Sequence, residues 1–406
     1  MQTTPSATVE TASKQAAHPA VVIEVVATAK QREAFLRVPW NLGMHKDPLW
    51  VAPLLDDYRR MLDPKKSAFL PHGELECYIA YQQGQPVGRI CAHIDFDYDK
   101  IWTEEPKTAF FGFFECKNDV AVARALLTAA EQFAKAHGRT RVLGPFTLDS
   151  KGEMGLLVEG FLTPPRIGTT YNKPHLGHLV EAAGFTKAKD LYCWWYQANS
   201  PIDSLTQKMA ARTRALPNVR IRTASLKHMK REVDIVRDIY NEAWSKNWST
   251  VPFTAKEMEI MASDYKVFID PEIVLIAEVD GEPAALCLAV PDVNEVIKDF
   301  DGELTRRPWN LVRLLWRLRF ARPKNARLIL LGVKEKYRAS RKYGALAAVL
   351  YEEVARRGSK RGYQGGELGW TLEDNHQINK GIERMGAKHY KTYRVYQRDL
   401  TVKPPG

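Results

Sequence analysis

The chain has 406 residues, 45% hydrophobic and 26% charged, with a net charge of +11 at pH 7. That length exceeds one hydrophobic core and predicts two domains, while no apolar run approaches the roughly eighteen residues of a membrane-crossing helix. The positive balance predicts anionic partners: phosphorylated cofactors, anionic lipid or nucleic acid.

In chain order, residues 1–20 are polar and aperiodic, with Glu10 and no arginine. They predict a disordered tail rather than a transit peptide, and no signal-peptide core is present. A strand over 22–27 and a helix over 30–42 come next, then a hairpin over 77–86 turning at Gln83 and Gly84. The aromatic strand 110–115 runs through Lys117 into a helix from Val120, with Asn118 or Asp119 as N-cap. The glycine-punctuated apolar stretch 143–165 is too long for a simple β–α connection and predicts a loop lining a greasy cavity. A strand over 191–197 closes this half.

After a charged helical arm at 200–217, the pattern repeats at an offset of about 200 residues. A strand (219–223), a helix (226–244) and a hairpin turning at Asp280 and Gly281 (274–283) match those of the first half. Glu383, Gly386 and Ala387 parallel Glu181, Gly184 and Phe185, and strand 392–397 parallels 191–197. About twenty residues before position 326 have no counterpart; residues 305–324 there carry seven basic and no acidic side chains. On a helix, Leu311, Leu314, Leu315 and Leu318 form a stripe widened by Val312 and Trp316, with Arg306, Arg313 and Arg317 opposite. This is the pattern of a membrane-surface helix, with Trp309, Arg313, Trp316 and Arg317 as contacts. The alternative is a stripe packed on the protein's own core. No helix-turn-helix, zinc or RNA-binding signature accompanies the charge, so nucleic acid is not expected. Cys77, Cys91, Cys116, Cys193 and Cys287 are far apart, which predicts reduced core thiols, no metal site and a cytoplasmic protein.

The last eighty or so residues read as strand (326–333), basic turn (334–344), helix (345–356), strand (366–370), polar turn (371–375), helix and final strand (393–396). A basic, glycine-containing turn opening a helix directly after a strand is an anion site, because unpaired N–H groups and the positive helix end point into it. This order resembles the acyl-CoA-dependent GNAT N-acyltransferase superfamily. Its Gln/Arg-x-x-Gly-x-Gly/Ala loop is matched at Arg341 and Gly344 and missed at Leu346, and its Asn-x-x-Ala…Gly-Phe segment is similar to Asn375 with Met385 and Gly386. The resemblance implies an α/β (α+β) fold of two tandem GNAT-like domains, 21–199 and 218–406. Each has a mixed, mostly antiparallel central sheet flanked by helices, and the basic insertion spans 300–325.

The first copy lacks the Arg-x-x-Gly loop and carries an acidic cap that would repel a pyrophosphate. The resemblance therefore assigns acyl-CoA to the second copy and the substrate side to the first. It implies pantetheine contacts at Leu331, Gly332 and Val333, with pyrophosphate held by Arg338, Arg341 and the amides near Gly344; Asn375 belongs to the same cofactor segment. The family's tyrosine acid falls on Ile382 (Val180 in the first copy), which leaves Tyr393 and Tyr396 as candidate acids. Glu367, a carboxylate inside an apolar strand, is the candidate base; Glu373 and Asp374 are further candidates, and Glu153 and His175 could reach in from the first copy.

The residues at 72–76, 86–90, 111–115, 155–161 and 367–370, with Gly144 and Pro145, resemble a bacterial branch of tandem GNAT-like proteins that includes the bacterial ceramide synthases. That implies transfer of a long-chain acyl group from acyl-CoA to a lipid amine such as a sphingoid base, by an enzyme peripheral to an anionic membrane. Two alternatives stay open: acetylation of a small polar amine, and a non-catalytic acyl-CoA- or lipid-binding scaffold.

Overall fold

The structure, a computed structural model, describes residues 19–148 and 151–402; the tail expected over 1–20 lies almost wholly outside them. The strands are β1 (Val22–Val25), β2 (Gly73–Gln82), β3 (Gln85–Asp95), β4 (Thr108–Cys116), β5 (Arg141–Gly144), β6 (Leu156–Glu159) and β7 (Thr186–Gln197). They continue as β8 (Val219–Thr223), β9 (Val274–Val279), β10 (Glu282–Pro291), β11 (Asn325–Val333), β12 (Gly365–Leu372) and β13 (Lys388–Asp399). All belong to one mixed sheet in the order β1-β2-β3-β4-β5-β13-β7-β12-β11-β10-β9-β8, with β6 also against β13. The strands closing the two repeats are exchanged: β13 lies between β5 and β7, and β7 lies between β13 and β12. The two half-sheets are therefore continuous.

Both expected hairpins form. Gln82 faces Gln85 and Val279 faces Glu282, so each loop has two residues. Positive φ at Gln83 (51°), Gly84 (75°), Asp280 (53°) and Gly281 (79°) gives turns whose twist matches the flanking strands.

Alternate side chains on each strand feed opposite faces. On β3, Ile90, Ala92 and Ile94 pack beneath the helices Val120–Ala136 and His175–Ala182, whereas Cys91 packs with Phe35 and Leu36 of the helix Ala29–Asn41. On β10, Ala285, Cys287 and Ala289 join Leu346 and Leu350 of the helix Leu346–Lys360, whereas Leu286, Leu288 and Val290 join Val236 and Ile239 of the helix Met229–Ala243.

A buried histidine ties the repeats together at one end. His72 bonds Asp95 through Nδ1 (3.1 Å) and Glu257, on the helix Ala255–Tyr265, through Nε2 (3.2 Å). Burial disfavours its charge, but the bonds to the two carboxylates outweigh burial and raise the imidazole to about 10. His72, Asp95 and Asp97 bring possible ligand atoms within 4.8 Å of one another; the protonated ring, however, uses both nitrogens as donors. Because its folded pKa lies above the ordinary value, this stabilisation is complete below about pH 6.5 and fades as pH rises through the folded pKa. His72→Gln should cost about 3 kcal/mol at pH 7, read as a lower melting temperature, and the gap from wild type should narrow near pH 10.

Candidate active site

β11 and β12 run parallel and pair only over Asn325–Leu328 and Gly365–Leu368. Beyond that they part, leaving the remainder of each strand as the two walls of a gap. A register shift opposite Leu288 and Ala289 removes Ile329 from the regular ladder with β10. β4 and β5 do the same in the first half, pairing only Thr108–Phe110 with Arg141–Leu143, and β4 carries its own shift and a positive φ at Phe113 (50°). Each repeat thus has a splayed parallel pair and a bulged inner strand.

The bulged strands run into helix ends of opposite character. After β4, the Asp119 carboxylate caps the helix Val120–Ala136, accepting from the amides of Ala121 (2.9 Å) and Val122 (3.4 Å), with Lys117 Nζ at 3.2 Å. An anion there would meet a carboxylate already on the amides. After β11, the helix Leu346–Lys360 starts from Ala345 with no side-chain cap. Arg338 and Arg341 are exposed near this end and have no ion pair among the described residues. The Gly344 amide donates to Ser340 O (2.7 Å), and a Cβ at Gly344 would lie 2.9 Å from that oxygen, so the turn is too tight for a larger residue. Leu331 is half-buried on the gap wall, Val333 is buried, and Gly332 makes room for the Trp244 ring, 2.3 Å from where a Cβ would stand. Asn375, expected among the cofactor contacts, instead caps the helix His376–Arg384 through Ile378 N (3.4 Å).

At the foot of the gap lies a buried charge pair. Glu367 has no exposed surface, and Arg327 Nε lies 2.8 Å from its Oε1, off the line of a hydrogen bond. The Tyr390 phenol donates to the other oxygen. Arg327 also donates to Ile167 O (2.7 Å) and Gly369 O (3.0 Å), and buried Lys391 donates to Pro164 O (2.7 Å). Burial pulls the Lys391 ammonium below its ordinary pKa, against the attraction of Glu367. Glu367, the expected base, thus has one oxygen on a phenol and the other beside a guanidinium, with its side chain inside the sheet. The two tyrosines expected as acids are also buried and hydrogen-bonded. Tyr393 is buried and donates to Thr170 O (3.0 Å), and Tyr396 packs in the first-half core and donates to Glu181 (3.2 Å). Ile382 lies on the helix His376–Arg384 and points into the core. His175 bonds Cys116 O (3.0 Å) at the start of its helix and is away from the Glu367 cluster.

Glu153 lies in a different place, a cavity of about 120 Å³ where β4 leaves β5. It accepts from Tyr58 (2.6 Å) and faces Glu115, Arg89, Thr147 and Asn172. Glu115 was not singled out from the sequence, although a carboxylate at the end of a strand of phenylalanines was the available signal; likewise Arg327, a guanidinium inside an apolar strand, and Tyr390. The larger surface concavity of about 630 Å³ is lined only by residues 227–238 of one helical segment, with no facing element to enclose a reaction.

The insertion forms the helix Pro308–Phe320. Its orientation corrects the expected stripe. Leu314 is buried and Leu318 half-buried, but Trp309 (75% exposed), Leu311, Val312, Leu315, Trp316 (58%) and Phe320 face outward. Arg313 and Arg317 turn toward the protein, pairing with Asp299 and lying over the Phe300 ring at 5.2 and 5.3 Å. They are not free for a membrane; Arg319, Arg322 and Lys324 are exposed without ion pairs among the described residues. No described helix is long and apolar enough to cross a membrane.

No protein-family profile matches the chain. It is 36% identical over 376 residues to the "Bacterial ceramide synthase" of Caulobacter vibrioides, covering 92% of this chain and 96% of that one. It is 34% identical over 369 residues to "Protein YghO" of Escherichia coli, covering 91% and 93%. Among solved structures, a tandem GNAT protein from the clavulanic acid biosynthesis pathway superposes with a TM-score of 0.52 at 13% identity, covering 94% of this chain and all of that one. A GCN5-related N-acetyltransferase from Sphaerobacter thermophilus gives 0.50 at 12% identity, covering 94% and 96%.

Glu367→Gln separates structural from catalytic roles. It would leave the Arg327 charge buried without its counter-ion, at a cost of about 3–5 kcal/mol. A large fall in melting temperature is expected; wild-type melting with abolished turnover would identify Glu367 as a base.

Proposed function

The chain belongs to the bacterial ceramide synthase family of tandem GNAT-fold N-acyltransferases, and on that premise we propose that it transfers a long-chain acyl group from acyl-CoA to the amine of a lipid such as a sphingoid base. The observation that carries the donor half of this reading is the uncapped, arginine-flanked helix end beside the β11/β12 gap. A pyrophosphate would meet free amides of the helix Leu346–Lys360, the positive end of its dipole, and Arg338 and Arg341. The pantetheine would lie along Leu331 to Val333 in place of the missing strand partner, with Leu331 facing the gap.

In such a transfer the neutral amine attacks the thioester carbonyl, charge builds on its oxygen, and the thiolate leaves with a proton. The protein supplies proximity, a donor for the oxyanion and proton acceptors and donors. The amide beside the bulge at Ile329 is the natural oxyanion donor, because the shift takes it out of the ladder. With Ile382 at the usual tyrosine position, the acid must come from elsewhere or from water.

The acceptor reading is supported by the helix Pro308–Phe320. Its outward Trp309, Val312, Leu315, Trp316 and Phe320, next to Arg319, Arg322 and Lys324, form an apolar surface rimmed by positive charge. Laid on an anionic bilayer, it would bury its aromatic residues among the head groups and gain roughly 1 kcal/mol for each basic residue near the surface. Both lipid substrates partition into that bilayer.

Two measurements test this. Thiol release from palmitoyl-CoA should require sphinganine and should not occur with acetyl-CoA; Arg341→Glu should raise the KM for acyl-CoA about tenfold or more, through repulsion of the pyrophosphate. Release with acetyl-CoA and a small polar amine would move the substrate class, and tight CoA binding without release would indicate a scaffold. Co-sedimentation with anionic vesicles should fall with salt, and the Trp309→Ala/Trp316→Ala protein should bind at least about tenfold more weakly; unchanged binding would remove the membrane contact.

A further inference from the structure

The cavity at the end of β4 contains a charge that the fold does not use. Glu115 has no hydrogen bond or ion pair among the described residues. By strand register its counterpart in the second half, opposite Leu286 as Glu115 is opposite Arg89, is Gly332, so the splayed-strand architecture does not require a carboxylate there. Neither neighbouring cation forms an ion pair with Glu115 among the described residues. Arg89 is buried, donates to Phe35 O (3.1 Å) and Leu36 O (3.4 Å), and lies over the Phe35 and Phe113 rings. Lys173 is paired with Asp47. Burial pushes the Glu115 carboxyl up to about 7, with Arg89 and Lys173 opposing. Burial also raises Glu153, against the pull of its bonds to Tyr58 and Thr147 and of Arg89 and Arg327.

A carboxylate kept in a cavity without a partner is costly unless a ligand completes it. Against two carboxyl groups the cavity holds one guanidinium, which leaves a charge of −1 when both are ionised and calls for one cation. Around them stand hydroxyl and amide groups, on Tyr58, Thr147 and Asn172. The volume of about 120 Å³ equals about four waters, enough for a small polar head and not for a hydrocarbon chain. The loop through Gly168 and Thr169, which lines the cavity, also touches the foot of the β11/β12 gap: a Cβ on Gly168 would lie 2.9 Å from Arg327 Nη1.

We propose that this cavity seats the acceptor's head group, a primary ammonium flanked by hydroxyls, with Glu115 as the counter-charge and Glu153, Tyr58 and Thr147 orienting the hydroxyls. The choice of ligand class rests on the N-acyltransferase reading; the cation site itself rests on the cavity.

The test is titration calorimetry of the full chain with a short-chain, water-soluble 2-amino-1,3-diol and with its neutral N-acetyl derivative. Wild type should bind the amine and prefer it to the derivative by tenfold or more. Glu115→Gln should lose that preference while keeping wild-type affinity for CoA. The same variant should melt higher than wild type at pH 8, where the half-buried carboxylate is ionised, with the difference closing toward pH 4. No binding of the amine by wild type, equal binding of the neutral derivative, or an unchanged preference in Glu115→Gln would each overturn the proposal. If that variant does not fold, Tyr58→Phe and Glu153→Gln carry the test, and wild-type amine affinity in both overturns it. Amine-dependent thiol release with an unaltered amine KM in Glu115→Gln would overturn the pocket alone. Amine binding through Glu115 without thiol release would leave the pocket standing and overturn the acyl-transfer reading.

Discussion

Arg327 and Glu367 are charged side chains on adjacent parallel strands near the middle of the sheet, both almost wholly removed from water. Such a pair persists only when every remaining polar atom nearby is directed at it or at its supports. Here that requirement organises the surroundings. The guanidinium draws in the carbonyls of Ile167 and Gly369, the carboxylate draws in Tyr390, and neighbouring Lys391 draws in Pro164. The loop of the first repeat is thereby fastened across strands of the second. Its Thr169 and Thr170 then wall the cavity that contains Glu115, while its Ile167 carbonyl meets Arg327, one residue before the pairing of β11 with β12 ends.

The two repeats show how one architecture serves opposite charges. Both end their splayed pair in a strand-to-helix turn, and one residue changes what that turn can receive. Asp119 occupies the helix amides in the first copy, whereas Ala345 leaves them open in the second. The electrostatics continue this contrast, with arginines at the open end of one copy and a carboxylate in the cleft of the other that have no ion pair among the described residues. A donor that carries phosphates and an acceptor that carries an ammonium would each find only one copy complementary.

Much of the architecture was legible in the chain. Gln83-Gly84 and Asp280-Gly281 identified their hairpins because two-residue loops need residues that tolerate positive φ, and the basic turn before Leu346 stood out because helix ends attract opposite charge. The strand exchange was not legible. β7 and β13 have the same aromatic pattern, and side-chain alternation records which face is buried but not which strand lies alongside. Periodicity likewise located the helix Pro308–Phe320 but not its rotation, since Arg313 and Arg317 are long enough to reach back to Asp299 while the tryptophans turn outward. Glu367 read as catalytic because a carboxylate in an apolar strand needs a reason; its reason lies about forty residues earlier, in Arg327, and no local pattern links the two.

The placement of β13 bears on how the protein is made. β13 must enter between β5 and β7, both synthesised some two hundred or more residues earlier. Until then those strands are open edges near the centre of the future sheet, and the first repeat cannot complete itself as an independent unit during translation. A nascent chain stalled before β13 would present two hydrogen-bond-hungry edges at once, that of β7 rich in aromatic residues. Its natural guest would be the closing strand of another copy, so the step that unites the two halves is also the one most open to swapping between chains.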